Sequence, residues 1–495
     1  ERGVMTSRIR GIFKHVVRLG LYGFIGVALT LVTVFVIIMN DRPDLSVWHT
    51  ADLDEEFTVE SDVSTFEDYL ELEDRLFKQL DEEVSAKIAP GEKGLINRFN
   101  KGSMSDPEQW EQNWNRSFEM PVDQPKAVVL LLHGMSDSPY SLRNLGEALH
   151  ASGVYVVGLR IPGHGTAPSG LVRVTWQDME AAVAIAMKHV AEKANGGPVH
   201  IVGYSNGGAL AVNYSLNAAD DPALPRVTSL ALISPEIGIT GAAALAVWQA
   251  RLGVLLGLDK LAWNSLLPEY DPYKYGSFAV NAGDVAHLLT NEIQRKITAL
   301  ENNGNLENLA PILAFSSIVD ATVSAPVLIK GLFNRIPDNG HELVLFDINS
   351  MADIGPILNW SPTEMFNALT ENPERNFTLS LVTNVDGGSH EVMLSSISPG
   401  KDEAVDEFLE LSWPRDLYSL THVALPFPPD DPLYGAHAKV TDDVIHLGDL
   451  ALRGERGVLQ IPASEMLRLR WNPFYSFLED KVLQFFELER ATEGT

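Results

Sequence analysis

The stretch Gly203-Tyr204-Ser205-Asn206-Gly207 constrains this chain more than any other, because of what flanks it. Before it, Pro198-Val199-His200-Ile201-Val202 reads as a short buried strand; after it, Gly208-Ala209-Leu210-Ala211-Val212-Asn213-Tyr214 reads as the start of a packed helix. A serine at so sharp a strand-to-helix turn projects its hydroxyl at the carboxyl edge of a parallel sheet, beside the first N–H groups of the helix. The glycines two before and two after Ser205 let the backbone make the turn and let the helix start against the strand. The bare G-x-S-x-G pattern is weak, but strand, turn and helix in this order are a specific signal.

The rest of the chain supplies a sheet for that turn to sit on. Apolar runs alternate with helical patterns from residue 126, as in a doubly wound parallel sheet. Strands are expected at Lys126–Leu132, Val154–Leu159, Pro198–Tyr204, Val227–Ser234, Pro311–Ser317 and Glu342–Asp347, with helices at Ser138–Ser152 and Thr175–Ala194. Residues 238–309 interrupt the alternation with mostly helical sequence, including Ala242–Leu256. They read as a cap above Ser205, with Trp263, Leu266, Leu267, Tyr270, Tyr273, Tyr275 and Phe278 either lining an apolar substrate site or packing the cap onto the body. Residues 348–412 read as a further excursion that holds a strand at Leu379–Thr383.

Charge divides the chain. Residues 1–40 carry Arg2, Arg8, Arg10, Lys14 and Arg18 against Glu1, whereas the remainder holds 32 of the 37 basic and 65 of the 66 acidic residues. So acidic a body lacks the basic surface that phosphate backbones need, which argues against nucleic acid as a partner. Leu19–Met39 is uncharged; as a helix it would span roughly 31 Å, about one hydrocarbon core. With basic residues before it and Asp41, Asp44, Asp52 and Asp54 after it, the positive-inside rule puts the amino terminus in the cytoplasm and the body on the outer side, periplasmic or extracytoplasmic. A cleaved signal peptide is the alternative, but the apolar run is long for one and no Ala-x-Ala follows it closely. Met5 reads as a start, and the four residues before it are given no role. The expected layout is a basic segment at 1–18, a transmembrane helix at 19–39, an acidic connecting region at 40–120 and one domain at 121–495. Thr65–Val84 within the connecting region has the spacing of an amphipathic helix, packed on the body or serving as a stalk.

A serine hydroxyl acts as a nucleophile only with a base to take its proton, an acid to hold that base, and N–H donors for the oxyanion. Three motifs occur in the order this requires: His133-Gly134-Met135-Ser136-Asp137-Ser138-Pro139, Arg160-Ile161-Pro162-Gly163-His164-Gly165, and Gly203-Tyr204-Ser205-Asn206-Gly207-Gly208. Together they resemble the α/β-hydrolase superfamily, in the branch of monoacylglycerol lipases, carboxylesterases and serine aminopeptidase-like enzymes. The likeness is specific over about residues 126–235, looser through Asp320, and fades after about 347.

The resemblance implies an α/β-hydrolase fold with a mostly parallel sheet of about eight strands, a helical cap, no cofactor, and a Ser–Asp–His triad in that chain order. It implies oxyanion donors in the N–H groups of Met135 and Asn206, and it puts the acid at Asp320, at the end of an apolar strand; Asp347 and Asp386 are weaker candidates. In the simple family pattern the base follows soon after Glu342–Asp347, where no histidine lies. His390, in a turn-like loop, and His422, followed by the rigid stretch Pro426-Phe427-Pro428-Pro429, compete, and His422 is favoured. His133 and His164 read as structural. No cysteine is present and no H-E-x-x-H or H-x-H cluster occurs, so no metal site is expected. The expected function is a membrane-anchored serine hydrolase of small-molecule or lipid-like esters. An amidase with Glu236 or Glu269 recognising a free amine, and a non-catalytic scaffold of the same fold, are the alternatives.

Overall fold

A computed structural model describes residues 41–238, 259–352, 375–436, 443–448 and 459–490, with His15 and residues 18–30, 32–35 and 37 of an amino-terminal helix. The segment Ala242–Leu256 therefore lies outside the described residues. Strand β1 spans Phe118–Met120, β2 Ala127–Leu132, β3 Val154–Leu159, β4 Val199–Tyr204, β5 Ser229–Ile233, β6 Trp263–Ser265 and β7 Phe278–Ala279. The series continues with β8 at Ile312–Ser317, β9 at Glu342–Phe346, β10 at Thr378–Asn384, β11 at Glu391–Ile397 and β12 at Val405–Ser412.

Ten of these strands form one sheet in the order β1-β3-β2-β4-β5-β8-β9-β10-β11-β12. Neighbours from β3 through to β10 pair in parallel, and β1, β11 and β12 add antiparallel edges. The sheet thus exceeds the expected eight or so strands. The surplus lies past β9, where β10–β12 extend the sheet between Asp320 and His422.

Period-two alternation sends the strand residues to two cores. Val128, Leu130 and Leu132 of β2 join one cluster with α3 (Trp176–Ala194), α4 (Asn206–Asp220) and α5 (Val280–Asn303). Ala127, Val129 and Leu131 face the other side, with α2 (Arg143–Ala151) and α6 (Tyr475–Phe485). Helix α5 falls inside the expected cap, yet Val285, Leu289, Ile293 and Ile297 pack into the first of these clusters, so it is a helix of the body. The described residues 259–279 are not helical beyond a short turn; they carry the β6–β7 ladder and reach the turn after β2, where Tyr275 N–H donates to Ser136 O at 2.8 Å.

The acidic connecting region packs on the body. Helix α1 (Phe66–Glu83) starts at a Thr65–Asp68 capping box and buries Phe66, Tyr69 and Leu72 in the first core. Its Glu73 meets Arg160 Nε at 2.8 Å, while Glu56 takes the same guanidinium through two contacts of 3.0 Å. Among the described residues, Arg18–Phe35 is the one helix long and apolar enough to cross a membrane, and none of it is buried. An anchor and a signal sequence share that length and composition.

Candidate active site

Strand β4 ends in the turn that carries Ser205, and the strain of that turn falls on the serine itself, at φ 53° and ψ −117°. A residue with a side chain holds such a backbone only when its surroundings over-determine it. Here the Ser205 N–H donates to Ile233 O at 2.9 Å, and its carbonyl accepts from Gly208 at 2.9 Å and from Glu236 at 3.0 Å. The flanking glycines serve by close approach: a Cβ on Gly207 would lie 2.0 Å from Leu132 O, and one on Gly203 2.6 Å from Gly207 O. Neither glycine has a positive φ.

The Ser205 hydroxyl meets His422 Nε2 at 3.0 Å, and His422 Nδ1 meets Asp320 Oδ2 at 2.9 Å. All three side chains are buried. Burial pushes the Asp320 carboxyl up, but the His422 ring and the N–H groups of Val323 and Thr322 outweigh it and hold the pKa below the ordinary value. An ionised carboxylate only accepts, so Nδ1 carries the imidazole proton and Nε2 is left to accept from the Ser205 O–H. The loop that carries His422 is fixed on both sides. Thr421 Oγ1 donates to Leu469 O at 2.6 Å, and Asn472 N–H donates to Phe427 O at 2.8 Å. Further along, Asp431 accepts from Tyr140, Asn144 and Arg143, which ties the proline-rich stretch to α2.

Strand β2 delivers His133-Gly134-Met135 against this cluster. A Cβ on Gly134 would lie 3.2 Å from Ser205 Cβ, so the turn is tight against the serine. Among the described residues, neither the Met135 N–H nor the Asn206 N–H has an acceptor. His133 is structural: its Nε2 accepts the Ile161 N–H at 3.0 Å and its Nδ1 donates to Gly134 O at 2.9 Å. Burial drives His133 far below the ordinary histidine pKa and lowers His164 to about 4, so both rings are neutral.

The competing residues lie elsewhere. His390 sits in the turn between β10 and β11, with no contact to Ser205 or Asp320 among the described residues. Asp386 caps that turn through Gly388 N–H, and Asp347 accepts from Thr383 and Ile348. Glu269 accepts the N–H groups of Gly276 and Ser277 and is a loop residue, not a free carboxylate. Glu236 is different, because its Oε2 is buried and unpartnered among the described residues. Burial and the charge of Asp320 push its pKa up to about 7. Trp110 stacks edge-on to Tyr140 and Tyr273, and Tyr273 lies flat on Tyr140 at 4.3 Å, so these aromatics are packing. No group of three or more metal-ligating side chains occurs among the described residues.

Residues 123–346 match the family model described as serine aminopeptidase, S33. Over that segment the chain is an α/β hydrolase. It belongs there to the branch with monoacylglycerol lipases, carboxylesterases and serine aminopeptidase-like enzymes. The thermostable monoacylglycerol lipase of Bacillus sp. (strain H-257) is 34% identical over 82 residues, 17% of this chain and 32% of that protein. An uncharacterized abhydrolase domain-containing protein of Dictyostelium discoideum is 23% identical over 275 residues, 52% of this chain and 28% of that one. The hydrolase therefore spans about a third of the length of the curated relatives it matches. The monoacylglycerol lipase structure from Paleococcus ferrophilus is 19% identical, covering 47% of this chain and 89% of that one at a TM-score of 0.35, too distant to bear on function.

Proposed function

We propose that this hydrolase cleaves carboxylic esters through an acyl-Ser205 intermediate, with Asp320 and His422 completing the triad. The observation that carries the reading is His422 bridging Ser205 Oγ at 3.0 Å and Asp320 Oδ2 at 2.9 Å. Ser205 Oγ attacks the ester carbonyl as His422 Nε2 takes its proton, and the carbonyl oxygen becomes an oxyanion facing the N–H groups of Met135 and Asn206. Collapse breaks the bond to the alcohol, which leaves with the proton from His422. A water then gives a proton to His422, attacks the acyl carbon and releases the acid, and the proton returns to Ser205. Asp320 holds the ring in the required tautomer and offsets the imidazolium charge, and no cofactor enters the sequence.

The amino-terminal helix would anchor this catalytic domain in the membrane, with the body on the outer side, as the charges around it favour. One observation favours the amidase reading: the unpartnered Glu236 Oε2 near Asp320 could take a substrate ammonium. Fluorophosphonate labelling of the detergent-solubilised chain, with peptide mapping, tests the main proposal. The adduct is expected on Ser205, lost in Ser205→Ala and His422→Ala and kept in His390→Ala. A folded protein without an adduct would leave a non-catalytic scaffold. Matched aminoacyl ester and amide substrates then separate esterase from amidase.

A further inference from the structure

A cavity of about 90 Å³ opens beside the His422 loop, lined by Val423 and by Asp137, Asp271, Lys274, Glu465, Arg468 and Arg470. Leu267, Tyr275 and Phe427 complete a wall that is apolar apart from these charged groups. Most of its charges are already committed. Lys274 Nζ pairs with Asp137 at 3.0 Å, and Asp271 accepts the Tyr434 hydroxyl at 2.6 Å and two backbone N–H groups. Arg470 donates to the Tyr270 hydroxyl at 3.3 Å and to Glu465 O at 3.4 Å.

Arg468 is the exception. Among the described residues it makes no hydrogen bond, and its ion pair with Glu465 is 3.8 Å long. Its side chain is 29% exposed and none of its nitrogens is both buried and unpartnered, so the five donors of the guanidinium face solvent at the cavity and are open to a ligand. It is also held next to the chemistry. The bond from Thr421 to Leu469 O joins the residue before His422 to the residue after Arg468. The charge of Arg468 acts on the hydroxyl of Tyr204, whose neighbour is Ser205. The leaving alcohol takes its proton from His422, and the next residue, Val423, lines this cavity, so the cavity adjoins the base that the alcohol must approach.

We infer that Arg468 binds an oxyanion group, carboxylate or phosphate, carried on the alcohol portion of the ester. This rests on the ester-hydrolase reading and adds to it a substrate class: acyl esters of anionic alcohols. A guanidinium meets either group through two parallel N–H···O bonds, displacing the long contact to Glu465.

The test compares kcat/KM of the full chain in neutral detergent for three esters with one acyl chain: 1-acylglycerol 3-phosphate, an acyl ester of glyceric acid, and uncharged 1-monoacylglycerol. At least one anionic ester is expected to be preferred by about tenfold or more, as a charge-assisted contact gives, and the phosphate and carboxylate arms identify which. Arg468→Gln should bring that ratio near one, and Arg468→Lys should keep part of it. Fluorophosphonate labelling of Ser205 in each variant reports that the site is still assembled. A wild-type ratio near one, or a preference that Arg468→Gln leaves unmoved, overturns the inference while the ester-hydrolase reading stands. If no ester is cleaved and Ser205 is not labelled, that reading fails and the inference goes with it.

Discussion

The His422 imidazole and the Asp320 carboxylate, 102 residues apart in the chain, share a hydrogen bond of 2.9 Å between Nδ1 and Oδ2. Asp320 is itself held from behind by the N–H groups of Thr322 at 2.8 Å and Val323 at 2.9 Å, which occupy its other oxygen. The carboxylate is thus aimed at the ring and kept ionised. Asp320→Asn preserves the shape and removes the charge, and it lets the amide donate to Nδ1. The ring would then present a proton to Ser205 in place of a lone pair. Ester hydrolysis is expected to fall by about 10³–10⁴ in kcat with little change in KM. A loss of less than tenfold in a folded variant would remove Asp320 from the triad.

The space around Gly207 has a steric consequence that can be measured separately from the chemistry. An alanine there would put Cβ 2.0 Å from Leu132 O and 2.6 Å from His133 O, both backbone atoms that cannot move aside without shifting β2. Gly207→Ala is expected to cost stability by several kcal/mol, or to prevent folding. Gly387→Ala, whose added Cβ would have nothing within 4 Å, is the control and should change stability by about 0.5 kcal/mol or less. Denaturant midpoints of the two variants decide it.

Much of this architecture can be read from the chain because the central strands are buried on both faces. Ala127-Val128-Val129-Leu130-Leu131-Leu132 is an unbroken apolar run, and the strand before Ser205 is buried throughout. The edge strands lack that signal. In β12, Val405, Asp406, Glu407 and Phe408 are all exposed, and β1 is three residues long, so neither pattern nor length marks them as strands. The histidine proposed as the base is hard for a related reason. Strands β10–β12 intervene between β9 and His422, and local sequence does not distinguish a histidine in the β10–β11 turn from one folded back onto Ser205. The buried role of Arg160 is equally hidden, since its partners Glu56 and Glu73 lie in a connecting region rich in acidic residues that the sequence does not tell apart. Arg468 and Arg470 stand two apart in Leu467-Arg468-Leu469-Arg470, and nothing in that run says which arginine is left without a hydrogen bond.

That Arg160 cluster is the joint between the connecting region and the sheet. The guanidinium is fully buried, bidentate to Glu56, and bonded to Glu73 and to His164 O. Removing the cation strands Glu73, whose carboxyl burial already pushes up against the pull of Arg160. Arg160→Met is therefore expected to cost about 3–5 kcal/mol, and Arg160→Met with Glu73→Leu to recover a large part of it. A single variant with an unchanged denaturant midpoint would mean that apolar packing alone carries the joint.

Glu236 gives the site a pH dependence with a definite sign. Its N–H donates to Ser205 O at 3.0 Å, its Oε2 is buried without a partner among the described residues, and its pKa is pushed up to about 7 by burial and then by Asp320. The ordinary value is 4.5, so between the two the folded protein binds a proton that the unfolded chain has released. Stability from this group is therefore complete below 4.5 and is lost as pH rises through 7, by about 3 kcal/mol in total. Asp320, held below its ordinary value of 3.8, works in the opposite sense and loses its contribution as pH falls below that value. Glu236→Gln removes the titration at nearly constant shape. Near pH 4.5 the variant and the parent should have similar denaturation midpoints, whereas at pH 8.5 the variant should be the more stable, by up to the same 3 kcal/mol. A stability difference that is the same at both pH values would mean that Glu236 does not titrate between them.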